Sequence, residues 1–480
     1  MSEQEFFGHI IDGVEVPSAS GKRFDVYNSW TRQVWAQAAE ADAEDAQAAI
    51  ASARTSFDEG PWPRMGRAER AKAIHRLADL MEERADQLAT YDSRTMAKPF
   101  AQAKHDVARS VMNFRFFADH QRDAVGEVYP MDTGHHTYSE FGPAGVVAAI
   151  SPWNFPLMMA TWKIAPAIAW GNTCIIKPSE DTPGSVTLLG RLAIEAGLPP
   201  GVLNVVNGYG APAGSTLTAD DRVDRVTFTG SSVTGKKVME SASSHLAPVS
   251  LELGGKGANI VFDDADLDNA VYWAVEAIFR NAGQICLAGS RLFVQDGIYE
   301  EFMKRFVERA ESLVIGDPFE ESTQFSALAS KKHFEKVAGY VRQIEELGGT
   351  MHTGGVADDG SWVVRPTIAD GLPLDAAPYC EEIFGPVCIV NRFSTEQEAV
   401  HLANDTRYGL NAMLFTENLS RAHRVSSALR AGTVWVNCFF IRDLRTPFGG
   451  VGDSGVGREG GNFSREFFTE PKAVVMQIRR

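Results

Sequence analysis

GVVAAISP, residues 145–152, decides the fold. Five consecutive apolar residues end on Ser-Pro, a run too short for a helix of ordinary length and rich in β-branched side chains, so it reads as a strand buried on both faces. The pattern repeats outward from it. A helical stretch through WKIAPAIAW (162–170) is followed by NTCIIKPS (172–179), then VTLLGRLAIEAG (186–197), GVLNVVNG (201–208), APAGSTLTA (211–219), RVTFTGS (225–231), VTGKKVMESA (233–242) and PVSLELGG (248–255). Strand-like and helix-like runs alternate, and Gly, Pro, Ser or Asn mark each turn. That alternation predicts a parallel sheet with helices on both sides.

After Gly255 a second series begins. ANIVFDD (258–264), a helix to about Arg280, RLFVQDG (291–297), helices over 299–314 and 332–347, strands near 362–368 and 386–392, and finally LNAMLF (410–415) and TVWVNC (433–438) predict a second α/β domain. Before the first strand, 40–58 and 66–90 carry alanine-rich helical periodicity. A chain of 480 residues exceeds what one core usually organises, which agrees with two or three domains.

Charge and cysteine content narrow the class. The 62 acidic side chains outnumber the 46 basic ones, and no Lys/Arg-rich run exists that could neutralise a phosphate backbone, so nucleic acid is not an expected partner. No apolar run approaches a membrane span, and MSEQEFFGHI lacks the character of a signal peptide. The five scattered cysteines (174, 286, 380, 388, 438) form neither a disulfide framework nor a metal-ligand spacing, so no metal and a cytoplasmic location are expected.

Ligands of parallel α/β sheets sit at the carboxyl ends of strands, against helix N-termini. Gly208-Tyr-Gly210-Ala-Pro-Ala-Gly214 has three glycines after a strand but misses the dinucleotide fingerprint by one residue. Gly230-SSVT-Gly235-Lys236-Lys237 nearly matches a P-loop, yet Lys237 stands where a magnesium-binding Ser or Thr is needed. The turn remains a phosphate cradle through its N–H groups and Ser231. The cysteine in FRNAGQICLAGSR (279–291) reads either as a small buried apolar residue or as a nucleophile.

Seven motifs settle that choice by their order: SPWNFP (151–156), KPSE (177–180), FTGS (228–231), LELGGK (251–256), GQIC (283–286), EEIFGP (381–386) and TPFGG (446–450). In this register the chain resembles the aldehyde dehydrogenase superfamily, and flanking similarity extends over nearly its whole length. The resemblance implies an α/β fold with a Rossmann-like coenzyme domain at 1–119 and 142–251, a catalytic domain at 252–450, and a β oligomerisation arm at 120–141 and 464–480. A homodimer or homotetramer follows.

It also implies residue roles. Cys286 is the nucleophile, because hydride leaves an aldehyde carbon only after attack has made it tetrahedral; Asn154 donates to the resulting oxyanion; Glu252 activates the water that hydrolyses the thioester. Lys177 and Glu180 hold the adenosine ribose, Ser231 the pyrophosphate, Glu382 the nicotinamide ribose, and Phe384 lies against the nicotinamide. Ile150, Trp153, Gly208, Gly230 and Leu253 complete the cofactor set. Glu180 would repel a 2′-phosphate, which favours NAD over NADP.

Five positions belong to the substrate tunnel by the same resemblance: Arg109, Phe155, Trp162, Arg280 and Arg442. Three are arginines. A guanidinium buried without an anion is costly, so the expected substrate is an aldehyde bearing a carboxylate. NCFFIRDLRTPFGG (437–450) and DVARSVMNFRFFAD (106–119) look most like the hydroxymuconic and aminomuconic semialdehyde dehydrogenases, whereas Arg280 resembles the succinic semialdehyde enzymes or pairs with Glu276. A general aldehyde dehydrogenase and a non-enzymatic member of the fold are the alternatives.

Overall fold

The computed structural model describes residues 5–478; residues 1–4 and 479–480, the ends of the expected coenzyme domain and arm, lie outside the described residues. The five strand-like runs around GVVAAISP are strands: Val146–Ile150, Thr173–Lys177, Leu203–Val205, Arg225–Thr229 and Val249–Glu252. They pair in parallel in the spatial order 249–252, 225–229, 146–150, 173–177, 203–205. Every residue of Val146–Ile150 is buried. Val147 and Ala149 enter one core, and Val146, Ala148 and Ile150 enter another. The period-2 alternation of a strand thus feeds two helical layers, each buried Val or Ile contributing about 1.5–3 kcal/mol.

The strand order reverses direction between Val146–Ile150 and Arg225–Thr229, so a crevice opens beyond their carboxyl ends. Antiparallel additions close the edges: Gly455–Val456 pairs with Val249–Glu252, and the hairpin His9–Ile11/Val14–Val16 extends the far side. Residues 5–39 also contribute a separate sheet of Glu5–Phe7, Val34–Ala39 and Arg23–Tyr27. Most of these strands are five residues or shorter and only Arg23–Tyr27 alternates exposed and buried residues, so they leave little periodicity in the sequence.

The second series builds a seven-stranded sheet in the order 350–356, 364–370, 387–393, 291–295, 258–261, 411–415, 433–436, all parallel except its first strand. One large core gathers under it. The third unit is a small sheet in which Thr469–Gln477 runs antiparallel to His135–Pro143 over nine residue pairs, with Val128–Tyr129 on the other edge. Three expectations are corrected here. Residues 464–468 belong to the helix Gly461–Phe468, whose apolar Phe468 is buried, so the strand begins only at Thr469; and residue 120 closes the helix Phe100–His120. The helix expected over 66–90 is broken at Arg84 into Arg67–Glu83 and Ala85–Met96.

Candidate active site

Three chain segments converge where the two large sheets meet. Asn154 follows the strand Val146–Ile150, Glu252 ends the strand Val249–Glu252, and Cys286 comes from the turn after the helix Leu267–Phe279. That turn is unusual: Asn281 (φ 51°), Ala282 (φ 53°) and Gly283 (φ 69°) are all left-handed. Two of them are not glycine, so the conformation costs on the order of 1–3 kcal/mol per residue and must be imposed by its surroundings. Hydrogen bonds impose it. The Asn281 amide donates to the Asn154 carbonyl at 3.1 Å, the Gln284 amide donates to the Asn281 carbonyl at 3.0 Å, and the Ala329 N–H donates to Gln284 Oε1 at 3.0 Å. At Gly283 a Cβ would lie 2.3 Å from the Gly385 backbone, so only glycine fits.

The same network fixes Asn154. Its carbonyl accepts from Lys98 Nζ at 3.0 Å, and Lys98 is ion-paired with Asp106 at 2.7 Å, both fully buried. Its Nδ2 donates to the Gln284 carbonyl at 2.9 Å, which leaves the second N–H of the amide for another acceptor. Lys98 lies in no stretch that the sequence singles out, and Asp106 opens DVARSVMNFRFFAD without a role being read for it.

Cys286 and Glu252 line one cavity of about 110 Å³, together with Arg109, Phe155, Trp162 and Arg442. Burial, and then the carboxylates of Glu382 and Glu252, push the Cys286 thiol up to about 12. Burial, and then the neighbouring Glu459, hold the Glu252 carboxyl well above the ordinary range, and neither of its oxygens has a partner among the described residues. The Cys286 thiol is therefore protonated near neutral pH in this state, and Glu252 holds its proton to higher pH than an ordinary glutamate, properties that sequence gives no sign of.

Arg442 is sandwiched between Trp162 (4.0 Å) and Phe448 (3.9 Å). Its Nε and Nη2 are buried and donate to nothing among the described residues. Burial, and then the charge of Arg109, bring it down to about 9. Stacking on two rings contributes roughly 1–4 kcal/mol but supplies no hydrogen-bond acceptor, so two donors stay open toward the cavity. Arg109, one wall away, is half-buried and lowered by the same desolvation. Arg280 is not among the cavity-lining residues; its guanidinium lies 5.4 Å from the Phe440 ring, and no ion pair to Glu276 forms. Phe440 itself lines the cavity, as do Met158 and Met159, apolar residues that no motif singles out.

The crevice at the strand reversal, about 560 Å³ and more open, is lined by Ile150, Trp153, Lys177, Glu180, Gly230 and Ser231 among others. Ser231 caps the helix Ser232–Ser243, accepting from the Thr234 N–H at 3.2 Å, so free N–H groups of that first turn face an anion site. At Gly230 a Cβ would meet the Phe228 ring at 2.5 Å. Lys177, buried and lowered to about 8, donates to the Gly208 carbonyl at 2.6 Å and stands 3.9 Å from the more exposed Glu180. Gly208 thus supports Lys177 rather than lining the crevice. Leu253 lies on the Cys286 side, in the cavity wall.

Between the two spaces stand Glu382 and Phe384. Glu382 accepts from the Gly255 N–H at 3.0 Å. Phe384 is left-handed (φ 62°), meets Trp153 edge-on at 5.3 Å, and its carbonyl accepts from His333 Nε2 at 2.7 Å. The cavity and the crevice adjoin at Thr229, which lines both, with Glu180 in one wall and Arg442 in the other, and Gly208 and Arg280 outside both.

An α/β site with a half-buried thiol beside a carboxyl, a side-chain amide and an anion cradle has the make-up of an enzyme active site. The chain belongs to the aldehyde dehydrogenase family, whose model matches residues 16–474. It is 45% identical to 2-hydroxymuconic semialdehyde dehydrogenase of Pseudomonas sp. (strain CF600), over 98% of this chain and 99% of that one. It is 44% identical to the mitochondrial aldehyde dehydrogenase family 2 member B4 of Arabidopsis thaliana, over 98% of this chain and 88% of that one. Among solved structures, the NAD+ complex of an aldehyde dehydrogenase from Bacillus cereus superposes with a TM-score of 0.97 at 40% identity, covering 99% of this chain and 97% of that one. The first two identities are almost equal, so overall similarity does not choose the substrate; the cavity has to.

Proposed function

We propose that this protein oxidises a carboxylate-bearing aldehyde of the muconic-semialdehyde type to the acid with NAD, through a covalent intermediate on Cys286. The coenzyme part is the eight-stranded sheet and its helices, the catalytic part the seven-stranded sheet, and the small sheet of 128–143 and 469–477 the oligomerisation arm, giving a homodimer or homotetramer in the cytoplasm.

The crevice residues fit a dinucleotide. The first turn of Ser232–Ser243 suits a pyrophosphate, Lys177 and Glu180 suit the hydroxyls of one ribose, and the Glu382 carboxylate suits the other. Glu180 favours NAD over NADP because it offers negative charge where a 2′-phosphate would lie. When bound, NAD supplies the acceptor that carries away the hydride. As its sulfur bonds to the aldehyde carbon, Cys286 gives its proton to ionised Glu252 in the same cavity, because desolvation and the nearby carboxylates keep the thiol from ionising in advance. The free N–H of Asn154 and the Cys286 backbone N–H receive the developing oxyanion, a stabilisation of about 3–4 kcal/mol per well-placed donor. Glu252, once deprotonated, takes a proton from the water that attacks the thioester and returns the thiol.

The observation that carries the substrate reading is Arg442: a buried guanidinium with two open donors, facing the same cavity as Cys286 and Arg109. A carboxylate would satisfy both donors with the planar two-point geometry that suits arginine. The test is NADH formation with a muconic-type semialdehyde and with a matched neutral aldehyde. The expected result is a kcat/KM at least tenfold higher for the acid; equal values would overturn the carboxylate reading.

A further inference from the structure

Beyond the two arginines and the reacting groups, three side chains in the cavity walls carry a buried polar atom without a partner among the described residues, Trp162 Nε1, Thr229 Oγ1 and Asn113 Oδ1, and of these the Asn113 oxygen alone can only accept. Asn113 is 1% exposed, lies one helical turn after Arg109 on the helix Phe100–His120, and lines the cavity that holds Cys286. Its amide orientation is fixed by a chain of donors. Thr161 Oγ1 donates to the Met158 carbonyl at 3.0 Å, so it presents a lone pair to Asn113, whose Nδ2 donates to it at 3.1 Å. Asn113 Oδ1 is left as a buried acceptor with no donor among the described residues. A buried carbonyl in that condition carries an uncompensated desolvation cost unless a ligand or water donates to it.

The surrounding walls do not supply that donor. Phe155, Met158, Met159 and Phe448 are apolar, and the open donors of Arg442, the Trp162 indole N–H and the Thr229 hydroxyl make no hydrogen bond to Asn113 Oδ1. The cavity therefore presents donors at Arg442, Arg109 and Trp162, and an acceptor at Asn113 within one helical turn of Arg109.

We propose that Asn113 is a specificity-determining residue whose Oδ1 accepts a hydrogen bond from a hydroxyl or amino group carried by the substrate close to its carboxylate. This rests on the carboxylate reading above and deepens it: the preferred substrate is a semialdehyde acid with a donor group near the acid end, and acids without that donor leave Oδ1 unsatisfied. A site built around a buried acceptor rejects the analogue that lacks the donor, because desolvation of the acceptor is then uncompensated.

The experiment uses three aldehydes and the full chain: an unsaturated semialdehyde acid with a 2-hydroxyl, its 2-deoxy counterpart, and a neutral aldehyde of similar length. Two ratios of kcat/KM are read, hydroxylated over deoxy acid and deoxy acid over neutral. In the wild type the first ratio is expected at tenfold or more. In Asn113→Leu it falls to within twofold of unity, while the second ratio keeps its direction. A first ratio that persists in Asn113→Leu overturns the assignment of Asn113, and a first ratio near unity in the wild type does the same. A second ratio near unity in the wild type instead defeats the carboxylate reading, so the two failures are distinct. If Asn113→Leu does not fold, Asn113→Ala, which removes the same acceptor without adding bulk, is held to the same first ratio.

Discussion

The crevice and the cavity adjoin at Thr229 and are made differently. The crevice is lined largely by strand ends, a capped helix turn and Gly230, whose Cβ would strike the Phe228 ring, so main-chain N–H groups share it with Glu180 and Lys177. The cavity is walled by side chains from helices and loops far apart in sequence, and its unpartnered polar atoms belong to Arg442, Asn113, Trp162, Thr229 and Glu252. Main-chain sites recognise what all dinucleotides share, whereas side-chain walls individualise the substrate. The near-equal identities to a hydroxymuconic enzyme and to a family 2 enzyme agree with that division.

The sharpest break of the comparison is at the point where the two spaces meet. Cys286→Ala should lower kcat by at least about a thousandfold with every aldehyde while NAD affinity, read by fluorescence titration, stays within about twofold. Next in size is the cavity alone. Arg442→Leu removes charged donors worth about 1.5–3 kcal/mol, so the acid-over-neutral preference in kcat/KM should fall roughly 10- to 100-fold, and parallel loss with the neutral aldehyde would mean that Arg442 only supports packing. The crevice alone is probed by Glu180→Ala. Its carboxylate is partly exposed, so the NADP/NAD ratio of kcat/KM should rise only about three- to tenfold.

The smallest effect is a pH shift. In the proposed mechanism Glu252 acts only when deprotonated, and burial with the neighbouring Glu459 raises its titration above the usual carboxylate range. The rate should therefore fall as pH is lowered, at a pH above that of an ordinary glutamate. Replacing Glu459 by Gln removes the like charge and leaves Lys163 without its 3.2 Å partner, and both changes favour ionised Glu252. The acidic limb of the kcat profile should move down by about half to one unit, with some loss of Tm because a buried lysine is unpaired.

What could be read from the sequence follows the same division. The parallel sheet was legible from GVVAAISP onward because strands buried on both faces are written as unbroken apolar runs, and the turns that close the crevice are written as motifs. The small strands of residues 5–39 were not, since most of them are too short to show a period, and the start of the last strand was misplaced because Ser464–Phe468 is an amphipathic helical turn with one buried face. In the cavity, Arg109 and Arg442 stood out by charge. Asn113 could have been found from its i, i+4 spacing to Arg109, but only once that face of the helix was known to be inward. Lys98, Asp106 and the left-handed run at 281–283 act through hydrogen bonds between distant segments, which no local pattern records.

The central claim is a covalent intermediate on Cys286 formed from an acidic aldehyde and released by Glu252. Glu252→Gln, mixed rapidly with NAD and a muconic-type semialdehyde, quenched in acid and digested, tests it directly by mass spectrometry. The account predicts a burst of NADH equal to the enzyme concentration and a matching acyl adduct on the peptide that carries Cys286. Steady NADH production with that peptide unmodified would contradict it.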